Sequence, residues 1–381
     1  MKWSNKIIDA IPKQYRAVAF GVVFGLFGVT LGLGVRAATS TASVEVESGS
    51  LSGGATSQTD SSASGGGYAK FGTCNPTVDA LLVPSCGVWL GGFANSHPGV
   101  TTFKDRILDH ETRIGRQVSF VHTYHQPTDT GLSSDDIYFV NRANTYLLAN
   151  WKPVTLWADA DGSNSTVNAR IDSFANSIKS VAPKKIMLVI YHEPENDVSG
   201  GASGCGSITY VGSAGTPADY VAMWANVRAR FDALGVNNVV WAMNYMSNSS
   251  WSCLKDDLWP GNNLVDWVLY NRYPGDSDTW ASSMGEMYTW LTDNSDATHD
   301  YLSKNWGVGE WGSWAHTQAN AYQLYDDGAT AIANGMYPRL KLYTVFDSGS
   351  SFVDYDDDTG LPDAVELQHY SDFANSAGFI K

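Results

Sequence analysis

The chain has 381 residues, room for one domain of roughly 250–300 residues plus an appendage. Its 39 acidic and 24 basic residues leave a formal net charge of -15, which excludes the cationic surface that nucleic-acid backbones require. Aromatic residues make up 12% of the chain, with 14 Trp and 19 Tyr. That ring surface suits either a large core with Trp at its edges or a cleft on which flat sugar faces stack.

Residues 1–38 read as an export segment. Lys2, Lys6, Lys13 and Arg16 precede the apolar stretch AVAFGVVFGLFGVTLGLGV, residues 17–35, and the small residues Ala37 and Ala38 follow it. A basic start, an apolar middle and small residues behind describe a secretory signal. The run is also about long enough to span a bilayer as an uncleaved anchor. Either form places the remainder in the extracellular space or at the cell surface. Cys74, Cys86, Cys205 and Cys253 suit that oxidising compartment, the expected disulfides being Cys74 with Cys86 and Cys205 with Cys253. Their spacing is not that of a zinc site.

Residues 39–83 are rich in Ser, Gly, Thr and Ala and read as a linker. Within them VEVESGSLSGG and SASGGGYAKFG resemble strand pieces of bacterial carbohydrate-binding β-sandwich modules, so a remnant of such a module is the alternative.

From residue 84 to 381 strands and helices alternate. Apolar strand candidates are GVWLGGF from Gly87, QVSFV from Gln117, PVTLWA from Pro153, KIMLVIY from Lys185, NVVWAMN from Asn238, DWVLYNRY from Asp266, WGVGEWG from Trp306 and LKLYTVF from Leu340. Most are apolar on both faces, as a parallel sheet covered on both sides requires. The clearest helix has Thr216 as N-cap and Pro217 as its first residue. It carries Tyr220, Trp224, Val227, Phe231 and Leu234 on one stripe and stops at Gly235. Further helices read from Ser165, Ser134, Asp278, His316 and Pro362, with a short one between residues 254 and 263. Eight alternations over about 300 residues predict a (β/α)8 TIM barrel. The alternative, a doubly wound sheet, lacks a Gly-rich phosphate loop after its first strand.

In such a barrel chemistry gathers at the carboxyl ends of the strands. The fourth candidate ends in YHEPEND, placing Glu193 there, and the seventh ends in WGVGEWG, placing Glu310 there. One glutamate at a strand end is ordinarily a solvated surface residue. Two of them facing across a barrel mouth are what glycosidic bond cleavage needs, one carboxyl to protonate the leaving oxygen and one carboxylate to attack or to activate water.

YHEPEND and VGEWG, in this order and on this strand pattern, resemble glycoside hydrolase family 26, retaining hydrolases of the barrel clan whose best-known members are β-mannanases. The resemblance spans about residues 87–381. It implies Glu193 as acid/base, His192 as its orienting neighbour and Glu310 as nucleophile. It further implies Tyr273 as a hydrogen-bond donor to the nucleophile, with Tyr270 as the competing candidate, and His122, Tyr124 and His125 as sugar contacts near the cleavage point. Trp89, Trp157, Trp241 and Trp311 are candidates for the cleft floor, each equally suited to barrel core. Two places depart from the family pattern: Phe346 and Asp347 stand where a tryptophan is common, and Pro194 and Glu195 follow the acid/base. Glu195 and Asp197 then read as loop charges, and His97 and His316 as structural or exposed. The implied activity is retaining hydrolysis of a β-linked polysaccharide, β-1,4-mannan first, with β-glucan or β-1,3-xylan as alternatives, and with no cofactor. A non-catalytic carbohydrate-binding barrel is the rival outside the enzyme class.

Overall fold

The computed structural model describes residues 55–59, 66–71, 76–95, 100–199, 212–247, 249–313, 318–348 and 363–380. The export segment, Cys74, Cys205, His97, His316 and most of the insert after the fourth strand lie outside them. Among the described residues no helix is long and apolar enough to cross a membrane. Cys86 and Cys253 each take part in a disulfide, and the expected partners Cys74 and Cys205 lie outside the described residues.

The chain divides into two compact units, Met1–Gly72 and Thr73–Lys381. In the first, strands Ala55–Thr59 and Gly67–Phe71 pair antiparallel. The second is a closed barrel of eight parallel strands, β1 (Trp89–Ala94), β2 (Phe120–His125), β3 (Tyr146–Trp151), β4 (Ile186–Ile190), β5 (Val239–Met246), β6 (Trp267–Arg272), β7 (Asn305–Trp311) and β8 (Leu340–Asp347), with β8 paired to both β7 and β1. Each strand is followed by a helix: α1 (Phe103–Ile114), α2 (Ser134–Asn141), α3 (Ser165–Lys179), α4 (Pro217–Ala233), the single turn α5 (Ser252–Lys255), α6 (Trp280–Asp293), α7 (Gln318–Ala333) and α8 (Ala364–Ala374). This is the (β/α)8 barrel that the apolar strands demand, since both faces of each strand are covered.

The helices start where local chemistry lets them. At α4 the Thr216 hydroxyl accepts from Asp219 N at 3.2 Å and the Asp219 carboxylate accepts from Thr216 N at 2.9 Å, a reciprocal cap with Pro217 behind it. Tyr220, Trp224, Val227 and Phe231 face inward from α4, as their spacing requires.

The structure departs from or adds to the sequence reading at three places. The third strand is YLLANW, Tyr146–Trp151, rather than the stretch from Pro153. Proline has no N–H for a ladder, and the chain turns there into a 3-10 helix, Trp157–Ala160. Helix α1 was not expected, because FKDRILDHETRI buries only Ile107, His110 and Ile114 and shows too thin an apolar stripe. Residues 76–83, grouped with the linker by composition, belong to the compact unit Thr73–Lys381 and pack at the amino end of the barrel. Leu82, held at φ 63°, packs with the inward-facing Trp89, Phe120 and Trp267, and Trp267 Nε1 donates to Leu81 O at 2.7 Å. The Asp79 carboxylate shapes this plug by accepting from both Leu81 N and Val83 N at 2.8 Å.

The barrel interior changes character along its axis. Its amino half is apolar, with Leu148, Met187, Val240, Leu269 and Leu342 pointing inward. Nearer the carboxyl ends, His122, Asn150, Asn244, Asn271 and Thr344 are all buried. That polar layer lies under the site.

Candidate active site

Glu310 reaches the mouth through a defect in the ladder. Tyr270 of β6 pairs with Val308, but the next pairing is Asn271 with Glu310, so Gly309 is bulged out of register, and β8 shows a matching shift. A bulge adds a residue on one strand and re-aims the next side chain. Without it Glu310 would share the outward direction of Val308. The bulged position must be glycine, since a Cβ there would lie 2.3 Å from Asn244 Oδ1 and 2.8 Å from Asn271 Oδ1.

Once inside, Glu310 is clamped by two phenols. Tyr124 donates to Oε1 at 2.5 Å and Tyr273 donates to Oε2 at 2.6 Å. Burial and the nearby glutamates hold both phenols well above their ordinary pKa, so they remain donors. Burial of the Glu310 carboxyl raises its pKa, while the hydrogen bonds from Tyr124, Tyr273 and Asn271 oppose that rise by stabilising the anion.

Glu193 arrives differently. Strand β4 ends at Ile190, and Tyr191 and Glu193 both adopt positive φ, 59° and 50°. For side-chain-bearing residues that conformation is strained by about 1–3 kcal/mol and needs surrounding structure to hold it. Here Glu193 N donates to Asn244 O at 2.9 Å, and a 3-10 turn, Pro194–Asp197, begins at once. The Glu193 carboxylate accepts from Asn271 Nδ2 at 2.9 Å and from Asn196 Nδ2 at 3.2 Å. Burial first and the charge of Glu310 second raise the Glu193 pKa. Asn271 thus serves both carboxyl groups. Glu193 is the member pushed toward holding a proton, and Glu310 the member surrounded by donors.

His192 and His122 complete the near side. His192 Nε2 lies 3.8 Å from Glu310 Oε1, and its ring meets Tyr124 edge-on at 5.3 Å. Burial lowers its pKa and that of His122, so both are neutral near pH 7. Asn150 Nδ2 lies 2.6 Å from His122 Nε2, and Tyr124 Oη lies 3.5 Å from His122 Nδ1. With Asn150 as donor, the ring carries its hydrogen on Nδ1, toward Tyr124. The chain Asn150–His122–Tyr124 therefore aims a phenol at Glu310.

Glu193, Glu310, His192, Tyr273, His122 and Tyr124 therefore gather at one mouth, with Tyr124, expected as a sugar contact, donating to Glu310, and His192, expected to orient Glu193, lying beside Glu310. The other candidates do not. His125 faces away from the carboxyl pair, 3.3 Å from Asp136 Oδ2 and edge-on to Phe174 at 5.2 Å, and lines a cavity beside Tyr124 instead. Trp89 lies at the opposite, plugged end of the barrel, where its Nε1 donates to Leu82 O at 2.9 Å. Trp157 packs on Tyr191 and Tyr220, Trp241 on Phe231 and Trp224, and Trp311 on Tyr325 and Tyr343, all in the layer between strands and helices. Tyr270 is likewise core. Strand alternation explains these placements, since Tyr270 and Tyr273 differ by three positions and face oppositely.

Several site residues carried no visible signal. Asn271, Asn244 and Asn150 look like interior polar residues until the barrel brings them under the carboxyl pair. Phe93 and Phe346, half-buried, stack at 4.7 Å with planes 11° apart, and both meet Tyr124 edge-on. Phe346 is marked in the sequence only as standing where the family commonly has a tryptophan, and nothing marks Phe93 until closure of the barrel sets β1 beside β8. Beside Tyr124 and Phe93 lies a cavity of about 780 Å3, also lined by Phe103, Asp129 and Asp136.

Solved structures share this arrangement of strands. A ruminal GH26 endo-β-1,4-mannanase superposes with a TM-score of 0.54 at 12% identity, over 77% of this chain and 64% of that one. The chain has the fold of GH26 mannanases. The catalytic domain of the GH26 endo-β-1,4-mannanase from Bacillus sp. JAMB-750 gives 0.56 at 14% identity, over 77% and 87% of the two chains. The GH26 domain of an endo-β-mannanase/endo-β-glucanase from Prevotella bryantii gives 0.52 at 15%, over 79% and 93%. This chain spans less than two thirds of the ruminal enzyme's length. No family model matches the sequence, and no curated protein does.

Proposed function

We propose that the protein is a retaining glycoside hydrolase acting on a β-linked polysaccharide, with β-1,4-mannan as its first expected substrate. The observation that carries this reading is the asymmetric pair of carboxyl groups at the ends of β4 and β7. Glu310 accepts two phenolic hydrogen bonds, and Glu193 accepts only amide hydrogens while facing the charge of Glu310. Glu310 attacks the anomeric carbon while Glu193 passes its proton to the leaving oxygen, giving a glycosyl-enzyme. Glu193, now a carboxylate, takes a proton from the water that releases the sugar. The phenols orient Glu310, and His192 packs beside it at 3.8 Å. The cavity beside Tyr124, lined also by Phe93, Phe103 and His125 and not by the carboxyl pair itself, has room for sugar units next to the phenol that holds Glu310. The mannan substrate is supported by the solved structures that share the fold, an endo-β-1,4-mannanase catalytic domain and the GH26 domain of a two-domain endo-β-mannanase/endo-β-glucanase among them. The apolar run at residues 17–35 supports export, with the barrel acting outside the cytoplasm.

Digests of mannan, lichenan and β-1,3-xylan read by a reducing-end assay test this. Release from mannan, lost in Glu193→Ala and Glu310→Ala, is the expected result. Release from lichenan or xylan alone transfers the reading to that glycan. No release from any of them, with retention on a polysaccharide gel, favours a binding barrel.

A further inference from the structure

We infer that Glu195 is a positioning residue, its carboxylate holding the strained turn that presents Glu193 by bonding the backbone of β5. The inference rests on the reading of Glu193 as acid/base and adds a residue which that reading does not need. The β4–β5 ladder runs in register from Ile186 opposite Val239 to Val189 opposite Ala242. Continued by twos, it would set residue 191 against Asn244 and residue 193 against Met246. Positive φ at Tyr191 and Glu193 breaks that continuation. The Asn244 carbonyl keeps a partner, but its donor is Glu193 N at 2.9 Å, one residue later than the register would supply. The next bond is supplied by a side chain: Met246 N donates to Glu195 Oε1 at 3.0 Å. The turn that bears the acid is thus tied to two successive inward positions of β5, and Asn196 of the same turn bonds the Glu193 carboxylate itself.

Glu195 is costly to keep where it stands. It is 1% exposed, and its Oε2 has no hydrogen-bond partner. A carboxyl in such a place is retained only for a specific contact, because an apolar side chain would fill the volume without the desolvation penalty. The charged and titratable groups that act on it or on which it acts are Glu193 in the same turn, Lys255 of α5, Tyr220 of α4 and Tyr245 of β5. Lys255 is itself 1% exposed and opposes the negative charge. Burial raises the Glu195 pKa to about 8, so the group is neutral or lightly ionised through the neutral range. Either form offers Oε1 as an acceptor to Met246.

The test separates positioning of the acid from general damage. Two substrates are compared in the full chain, a manno-oligosaccharide and the dinitrophenyl glycoside of mannobiose, whose leaving group needs no proton. In Glu195→Ala, kcat/KM for the oligosaccharide is expected to fall ~10²-fold, the scale of a misplaced catalytic group. For the dinitrophenyl glycoside kcat/KM should stay near the parent value while kcat and KM fall together, because the glycosyl-enzyme accumulates when its release lacks a well-placed base, and azide should restore kcat by replacing the water that needs one. Glu195→Gln keeps the acceptor and should restore oligosaccharide cleavage. Glu195→Asp, one methylene short of Met246, should repeat the alanine pattern if the alanine variant does not fold. Equal losses on both substrates, or no loss on the oligosaccharide, overturn the inference. Glu193→Ala is the control: if it shows no difference between the two substrates, the acid/base reading fails whatever Glu195 does.

Discussion

At the scale of single residues the site is an arrangement of donors around one carboxylate. Tyr273→Phe removes one of the two phenolic donors to Glu310. A hydrogen bond to the charged form lowers an acid's pKa, so its loss raises the pKa of Glu310 and weakens its hold on the anionic state. The low-pH limb of kcat/KM should move to higher pH in Tyr273→Phe, and kcat should fall ~10- to 100-fold, read from a pH-rate profile. An unmoved limb would contradict the account. The reverse holds at Glu193, whose pKa is raised partly by the charge of Glu310. Glu310→Gln should lower it, which a carbon NMR titration of labelled Glu193 would show directly. Glu193, Glu310 and Tyr273 were legible in the sequence because strand ends and motif order mark them. Asn271 was not, because one amide inside an apolar strand says nothing until the neighbouring strand places two carboxyl groups beside it.

At the scale of elements, the decisive features are departures from regularity. The bulge at Gly309 is what turns Glu310 inward, and the glycine is required by the 2.3 Å approach a Cβ would make to Asn244 Oδ1. Gly309→Ala should destabilise by about 1–3 kcal/mol through overpacking and should cost activity beyond that, because the asparagine shelf under both carboxyl groups must shift. Thermal melts and kcat measured together check this. Thr216→Ala is the contrasting case. It removes the cap of α4, remote from the chemistry, and should lower stability by about 1 kcal/mol with kcat unchanged. Regular elements were readable from periodicity and capping, as α4 shows residue by residue. The bulge, the positive-φ turn at Glu193 and the third strand were harder, since each depends on what the neighbouring strands accept. Four tryptophans were left open between cleft floor and core for a related reason. Ring surface alone does not say whether a side chain points to the mouth, to the plug or to the helix layer.

At the scale of the whole molecule, the barrel is a unit that begins earlier than composition suggests. Residues 76–83 look like the end of a linker, yet they set Leu82 into the amino end of the barrel and a backbone carbonyl against Trp267. A chain beginning at Thr73 should melt like the full chain and keep its kcat on soluble oligosaccharide. Leu82→Ala in the full chain should lose about 2–5 kcal/mol, the usual range for a buried leucine, while leaving the mouth intact. Equal melting of the variant and the parent in a thermal scan would return these residues to the linker. The central claim for the molecule is that Glu310 attacks and Glu193 delivers the proton. Mass spectrometry of the protein incubated with a fluorinated mannobiosyl inactivator, and with its cellobiosyl counterpart, tests it most directly. A covalent glycosyl adduct on the peptide bearing Glu310 is the result predicted. An adduct on another carboxylate, or polysaccharide turnover that releases product of inverted anomeric configuration, would contradict it.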